Sequence, residues 1–312
     1  MHLSIVRGTF RFMKKAVVIG ILIIVAVLGI SLATVKTPKS SYSNKLQVVA
    51  AENFWGSLAA QIGGSQVNVV SIVSDPNADP HEYASNSTDA RAIASANLVI
   101  INGAGYDSWA TKIIGASPSS SRQLLNVSSL LNQPSGVNPH FWYSPSYVNR
   151  IVDQITENYC SIDTKNCSYY QNNLSLLQSK LAAYQIQIKD IAAKYKGIKV
   201  AATEDIFVYL AQAAGLNLIS PADFIQAVAE GNDPPAGSVA TFETQLNSGQ
   251  VKLLVYNSQT VTPLTTAIKK IAGERNIPIV GITETIQPPN VSFQDWMNEE
   301  IISIEKALNA TS

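Results

Sequence analysis

YYQNNLSLLQSKLAAYQIQIKDIAAKYK, residues 169–196, contains neither glycine nor proline. Its apolar residues fall at Leu174, Leu177, Leu181, Tyr184, Ile188, Ile191 and Tyr195, in steps of three and four that mark one helical stripe. At ~1.5 Å per residue such a helix is about 40 Å long, the diameter of a domain. It is either a long surface helix or a rigid strut joining two lobes.

On both sides of it the chain alternates short apolar runs with helical segments. Before it, strand-like runs occupy 46–51, 67–73, 97–101 and 122–127. Helical spacing marks 54–62, stopped by Gly63 and Gly64, then 87–96, capped by Ser87 or Thr88, then 106–114 and 145–159. After Gly197 the rhythm resumes, with strands at 198–202, 216–219, 253–256 and 277–282 and helices at 206–214, 238–248, 263–274 and 293–309. Strands separated by helices imply βα units and a mostly parallel sheet. The second half repeats this architecture without a visible sequence repeat. The organisation expected is α/β: an N-terminal segment and tether (1–45), a first βα lobe (46–168), a linking helix (169–197) and a second βα lobe (198–312).

The formal net charge of the 312 residues is zero, which gives no support to nucleic-acid binding. Arg7, Arg11, Lys14 and Lys15 precede twenty uncharged residues, 16–35. That run can span a bilayer with its positive flank in the cytoplasm. It is read as an uncleaved anchor or as a signal peptide cut near Ser31-Leu32-Ala33. No cysteine ends the run, so a lipid-modified cysteine is excluded there. Residues beyond about 40 then lie outside the cytoplasm, starting with a Ser/Thr/Pro/Lys-rich tether. Cys160 and Cys167 are read as one local disulfide, the alternative being a half-built metal site. Sequons at Asn86, Asn126, Asn166, Asn173, Asn290 and Asn309 permit glycosylation.

Chemistry concentrates in two histidines and two glutamates. His81 lies in DPNADPHEY (75–83), a proline-stiffened loop after the second strand, and His140 lies in NPHFW (138–142). Glu204 and Glu284 each follow a strand, where ligands collect in open α/β sheets. Two imidazoles and two carboxylates suit Zn²⁺, Mn²⁺ or Fe²⁺ rather than Ca²⁺. Each residue also has a blander reading. Loop histidines are commonly surface or capping groups, and glutamates after strands commonly start helices. Asp205 reads as a helix-starting charge, and Asp75, Asp79 and Glu82 as loop-shaping acids. Trp55, Trp109 and Trp142 read as packing residues. Residues 102–105, NGAG, resemble a phosphate loop only weakly.

Seven motifs occur in order: DPNADPHEY (75–83), NGAGYDSW (102–109), NPHFW (138–142), TEDIF (203–207), EGNDPP (230–235), YNSQ (256–259) and TETIQPP (283–289). Together they resemble the solute-binding proteins of zinc and manganese ABC importers, from about residue 46 to the C-terminus. The resemblance implies two lobes joined by a single long helix, with a metal between them. It places the ligands at His81, His140, Glu204 and Glu284. The third position is histidine in many zinc binders and glutamate in many manganese binders; the fourth is often aspartate. The family's lipid-modified cysteine and its His-rich acidic loop are both absent, and Zn²⁺ against Mn²⁺ stays undecided. The function implied is capture of a divalent metal outside the membrane and delivery to an ABC permease, by a monomer that is not an enzyme. A helical strut implies modest lobe motion. Binding through neutral imidazole implies proton release. Two rival readings remain: an extracellular metallohydrolase with Glu82 or Asp205 as its base, and a metal-binding surface adhesin.

Overall fold

The computed structural model of the chain describes residues 45–76 and 80–311. The expected anchor or signal stretch 16–35, residues 77–79 with Asp79, and the side chain of Glu82 lie outside what is described. Among the described residues no helix is long and apolar enough to cross a membrane.

The first half runs β1 (Leu46–Glu52), α1 (Asn53–Gly63), β2 (Val67–Val73), α2 (Ser87–Ser95), β3 (Leu98–Ile101), α3 (Ser108–Ala116), β4 (Gln123–Asn126), α4 (Val127–Leu130) and α5 (Pro145–Ile162). The long helix α6 (Cys167–Lys194) follows. The second half runs β5 (Lys199–Ala202), α7 (Val208–Ala213), β6 (Asn217–Leu218), α8 (Ala222–Ala229), α9 (Ala236–Asn247), β7 (Leu254–Asn257), α10 (Pro263–Glu274), β8 (Ile279–Ile282) and α11 (Phe293–Asn309). Among the described residues the strands form two four-stranded sheets, ordered β2-β1-β3-β4 and β6-β5-β7-β8. Every ladder is parallel. The same order occurs twice, and it reverses direction between β1 and β3 and again between β5 and β7. Those are the switch points where an open sheet leaves a crevice beyond its strand ends.

Local chemistry moved some boundaries. Asn86, rather than Ser87 or Thr88, caps α2: its Oδ1 accepts from the amides of Thr88 and Asp89, and Asp89 accepts from the Asn86 amide. The helix expected from residue 106 starts at Ser108, because Tyr106 and Asp107 are held in the preceding turn. Helix α6 is offset from the expected 169–196 by two residues at each end. Helix α8 was not foreseen. Its Phe224, Ile225, Val228 and Ala229 face one side, and the first three join Phe242, Leu246 and Ile268 in a core of their own.

The larger core is continuous across both sheets. One cluster contains Val48 and Ile100 from the first, Val200 and Val255 from the second, and Leu177, Leu181, Tyr184, Ile188 and Ile191 of α6 between them. Helix α6 packs on α1 and α5 on one side and on α11 on the other. It is therefore embedded along the junction, where its apolar stripe touches both halves. Polar pairs close the same junction: Ile286 N–H donates to Asn53 Oδ1 at 3.1 Å, Phe293 N–H donates to Ser57 Oγ at 3.1 Å, and Gln61 and Gln294 exchange amide hydrogen bonds. The expected disulfide is present. Cys160 and Cys167, with Cα atoms 4.4 Å apart, fasten the end of α5 to the start of α6.

One buried carboxyl group anchors the second half to the first. Glu300 Oε1 on α11 accepts from Thr283 N–H (2.9 Å) and Trp296 Nε1–H (3.0 Å), and its Oε2 lies 2.8 Å from the Tyr143 hydroxyl. That hydroxyl is also 2.8 Å from the Thr283 carbonyl. The Tyr143 hydroxyl thus bridges the Glu300 carboxyl and the Thr283 carbonyl. Burial pushes the Glu300 carboxyl up to about 8, against the four hydrogen bonds that favour ionisation. A raised native pKa stabilises the fold fully below the ordinary value of 4.5, and this contribution is lost as pH rises toward about 8. Glu300→Gln keeps the shape and removes the ionisation. Its melting temperature relative to the parent is expected to rise steadily between pH 5 and pH 8.5, measured by calorimetry at constant ionic strength. A flat difference would mean that Glu300 is ionised throughout.

Candidate metal centre

Each sequence-predicted residue stands at the crevice beyond the strand ends. His81 is in a 3₁₀ turn, Pro80–Glu82, after β2, and His140 directly precedes another, Phe141–Tyr143. Glu204 and Glu284 lie two residues beyond β5 and β8. The structure brings three of the four together. His81 Nε2 is 3.3 Å and His140 Nε2 3.8 Å from Glu284 Oε2. One atom from each of the three lies within 4.8 Å of the others, the spacing of groups that can share one cation. Glu204 stands outside that trio. It is buried beside Glu284, and Asn257, whose amide is bonded to Glu284, is the one side-chain donor that favours its ionised form.

The two carboxyls are driven apart electrostatically. Burial opposes ionisation of Glu284, but the charges of His81 and His140 and the hydrogen bonds from His81 and Tyr106 outweigh it and hold the group below the usual carboxylate range. Glu204 goes the other way. Its burial, and then the charge on Glu284, push it well above its ordinary value. Two like charges this close in a dry site do not ionise together unless a cation joins them.

His140 is completely buried, and its tautomer is set by its neighbours. Nδ1 faces two acceptors, Asn138 Oδ1 at 2.8 Å and Asp205 Oδ1 at 3.1 Å, so the proton sits there. Nε2 has no hydrogen-bond partner and faces Glu284 Oε2 at 3.8 Å, which leaves it available to a cation that takes the place of its proton. An outer acceptor that fixes the ring and leaves the other nitrogen free is how metal-binding histidines are oriented. Asp205 starts a 3₁₀ turn, as its position suggested, and its Oδ1 also lies 3.1 Å from His140 Nδ1.

Three motifs turn out to be supports. In NGAG, Asn102 Nδ2–H donates to the Pro139 carbonyl beside His140 (2.9 Å), and Asn102 Oδ1 accepts from Trp55 Nε1–H (3.2 Å). The amides of Asn102 and Gly103 are both taken by the Asp107 carboxylate, at 2.5 and 2.9 Å. These amides are not free to cradle a phosphate, so the loop is a clamp. In YNSQ, Asn257 at the end of β7 donates from Nδ2 to Glu284 Oε1 at 2.6 Å, while Gln259 Oε1 accepts from the amides of Glu284 and Thr285 at 2.7 and 3.0 Å. In NPHFW, Asn138 Nδ2–H donates to the Asp205 carbonyl at 2.6 Å, tying the His140 loop to the end of β5. Trp55 and Trp142 are buried packing residues, as expected, and Trp109 stacks obliquely on Tyr83. Sequence reasoning missed Tyr106 and Asn257. Both lie inside recognised motifs, and that membership was the only available signal.

His81 is the one accessible member, its side chain 24% exposed against none for His140 or Glu284. Cavities of about 430 and 730 Å³ meet at His81 and Glu230. Tyr106 and Asp205 also line the smaller one, so the cluster is reached by solvent at its His81 edge.

A sequence model of the family described as ZnuA, zinc-uptake complex component A, periplasmic, matches residues 48–307. The manganese ABC transporter substrate-binding lipoprotein PsaA of Streptococcus pneumoniae is 25% identical over 320 residues, covering 95% of this chain and 100% of its own. The metal ABC transporter substrate-binding lipoprotein FimA of Streptococcus parasanguinis is 25% identical over 283 residues, 86% of this chain and 88% of its own. Among solved structures, the periplasmic zinc binding protein TroA of Treponema pallidum superposes with a TM-score of 0.73 at 15% identity, covering 85% of this chain and 99% of that one. A manganese-bound periplasmic metal binding protein from Candidatus Liberibacter asiaticus also scores 0.73, at 19% identity, covering 85% and 100%. At these identities the structures establish a shared fold.

The buried Glu204 carboxyl, poorly provided with donors, gives a direct test of how the site is stabilised. A buried acid short of donors weakens the fold. Glu204→Gln is expected to melt at the same temperature as the chelator-treated parent or a few degrees above it, by circular dichroism at pH 7.5. A loss of several degrees would reveal a structural partner for this carboxyl.

Proposed function

This chain belongs to the ZnuA family, zinc-uptake complex component A, periplasmic; from that premise we propose that it captures a divalent transition metal outside the cytoplasm and delivers it to an ABC permease. The metal is cargo, bound and released unchanged. One observation carries this reading. An imidazole nitrogen without a hydrogen-bond partner and a second carboxyl that burial keeps from ionising lie around one ionised carboxylate, and His81 beside them faces two cavities. Such a set is unfavourable by itself and is completed by a cation.

In this reading His81 and His140 bind through Nε2, Glu284 through Oε2, and Glu204 moves in to supply the fourth ligand. Two carboxylates neutralise the divalent charge, which lowers the cost of burying it. Asn138 and Asp205 orient His140, and Asn257 and Gln259 orient Glu284. His81, on the exposed side, meets the incoming ion first. The core shared by the two sheets supports small lobe movement, with His81 and the 230–235 loop giving way before the junction does.

Attachment to the membrane is assigned to residues 16–35, as an anchor or a cleaved signal. Both cysteines of the chain are joined to one another, so neither carries a lipid here.

Elemental analysis after chelation and reloading is expected to find one Zn²⁺ or Mn²⁺ per chain. His81→Ala, His140→Ala and Glu284→Ala are each expected to weaken binding by more than about a hundredfold, beyond the 10–100-fold of outer-shell losses. If His81→Ala and Glu284→Ala both kept the parental stoichiometry and affinity, this site would not be where metal binds.

A further inference from the structure

Tyr106 meets Glu284 across the junction between the two halves. Its hydroxyl donates to Glu284 Oε2 at 2.6 Å, the same oxygen that His81 and His140 approach. The residue is 6% exposed, and its ring stands edge-on to His81 (4.8 Å between centroids) and to Trp142 (5.4 Å). The placement is built. Gly103, Ala104 and Gly105 take successive positive φ values of 76°, 54° and 98°, turning the chain sharply just before Tyr106. A side chain at Gly103 would strike Asn126 Oδ1 and Ser128 Oγ, both 2.4 Å from where its Cβ would lie. The turn is pinned from behind by Asp107 and by the Tyr106 amide donating to the Gly103 carbonyl at 3.0 Å.

We propose that Tyr106 is a specificity-determining positioning residue, whose hydroxyl restrains Glu284 and thereby narrows the advantage of Zn²⁺ over Mn²⁺. This rests on the metal-cargo reading above. The hydroxyl holds Oε2 and Asn257 holds Oε1, also at 2.6 Å, so both oxygens already accept a donated proton and neither offers an ion its full donor strength. The donated proton also draws electron density from the oxygen that faces the histidines. Zn²⁺ relies on about four short bonds, so a weakened donor costs it more. Mn²⁺ spreads its bonding over more oxygens, water included, and loses less.

The experiment is Tyr106→Phe in the full chain with its disulfide intact, titrated with Zn²⁺ and with Mn²⁺ against a chromogenic chelator. The ratio Kd(Mn)/Kd(Zn) is expected to rise about tenfold or more, the scale of outer-shell effects. X-ray absorption on the Mn²⁺ form is expected to show altered carboxylate coordination. Site-specific 3-fluorotyrosine at position 106, a stronger donor of the same shape, is expected to move the ratio the opposite way; it also serves if Tyr106→Phe does not melt cooperatively. A ratio within twofold of the parent in both variants overturns the proposal. So does a tyrosinate charge-transfer band with Fe³⁺ that disappears in Tyr106→Phe, which would make the hydroxyl a ligand. A parent chain that takes up neither ion overturns the cargo reading, whereas normal uptake with an unmoved ratio overturns only the role of Tyr106.

Discussion

The arrangement depends on keeping one carboxylate, Glu284, ionised where no water reaches it. A buried charge is tolerated only when its lone pairs are satisfied and opposite charge is near. The Glu284 carboxylate draws its partners from both halves: Tyr106 and the two histidines from the first, Asn257 from the second. The site therefore exists only where the halves meet. Glu204 shows the limit of this provision. The same pocket that keeps Glu284 charged discourages a second charge beside it. The result is a cluster poised one cation short of balance.

Such a site needs a junction that does not wander. The core passes without interruption from the first sheet through the stripe of α6 to the second. The residues next to the candidate ligands are joined as well: Tyr143, three positions after His140, bonds to Glu300 and to the carbonyl of Thr283, the residue before Glu284. A long helix alone gives a fixed spacing between lobes. A long helix whose apolar stripe lies in a common core also fixes their orientation, because rotation would break close packing along that stripe.

Much of this was legible in the residues. The strand–helix alternation and the glycine- and proline-free stretch before Gly197 were sufficient for two parallel βα units and a connecting helix. Two elements escaped: the single turn α4, and α8, which follows a proline and carries its apolar residues in adjacent pairs, a pattern that eight residues do not distinguish from a loop. At the site, His81, His140, Glu204 and Glu284 stood out through rarity, strand-end position and motif. Asp205 did not, since a helix-starting acid and an acid that orients a histidine look identical in sequence. Nor did Tyr106, because a tyrosine in a turn is ordinary until something across the cleft accepts its proton.

The sequence by itself determined the elements, their order, the local disulfide and the chemical kinds gathered at the strand ends. These depend on neighbours a few residues apart, through periodicity, turn geometry and capping. Only the tertiary structure decided which groups share a site and in what state. It placed three of the four candidates within one cation's reach and left Glu204 beside them, fixed the proton of His140 on Nδ1, and set Tyr106 against Glu284 across 178 positions of chain. Burial, unmet hydrogen bonds and the field of a neighbouring charge are properties of assembled surroundings, and no stretch of residues carries them alone.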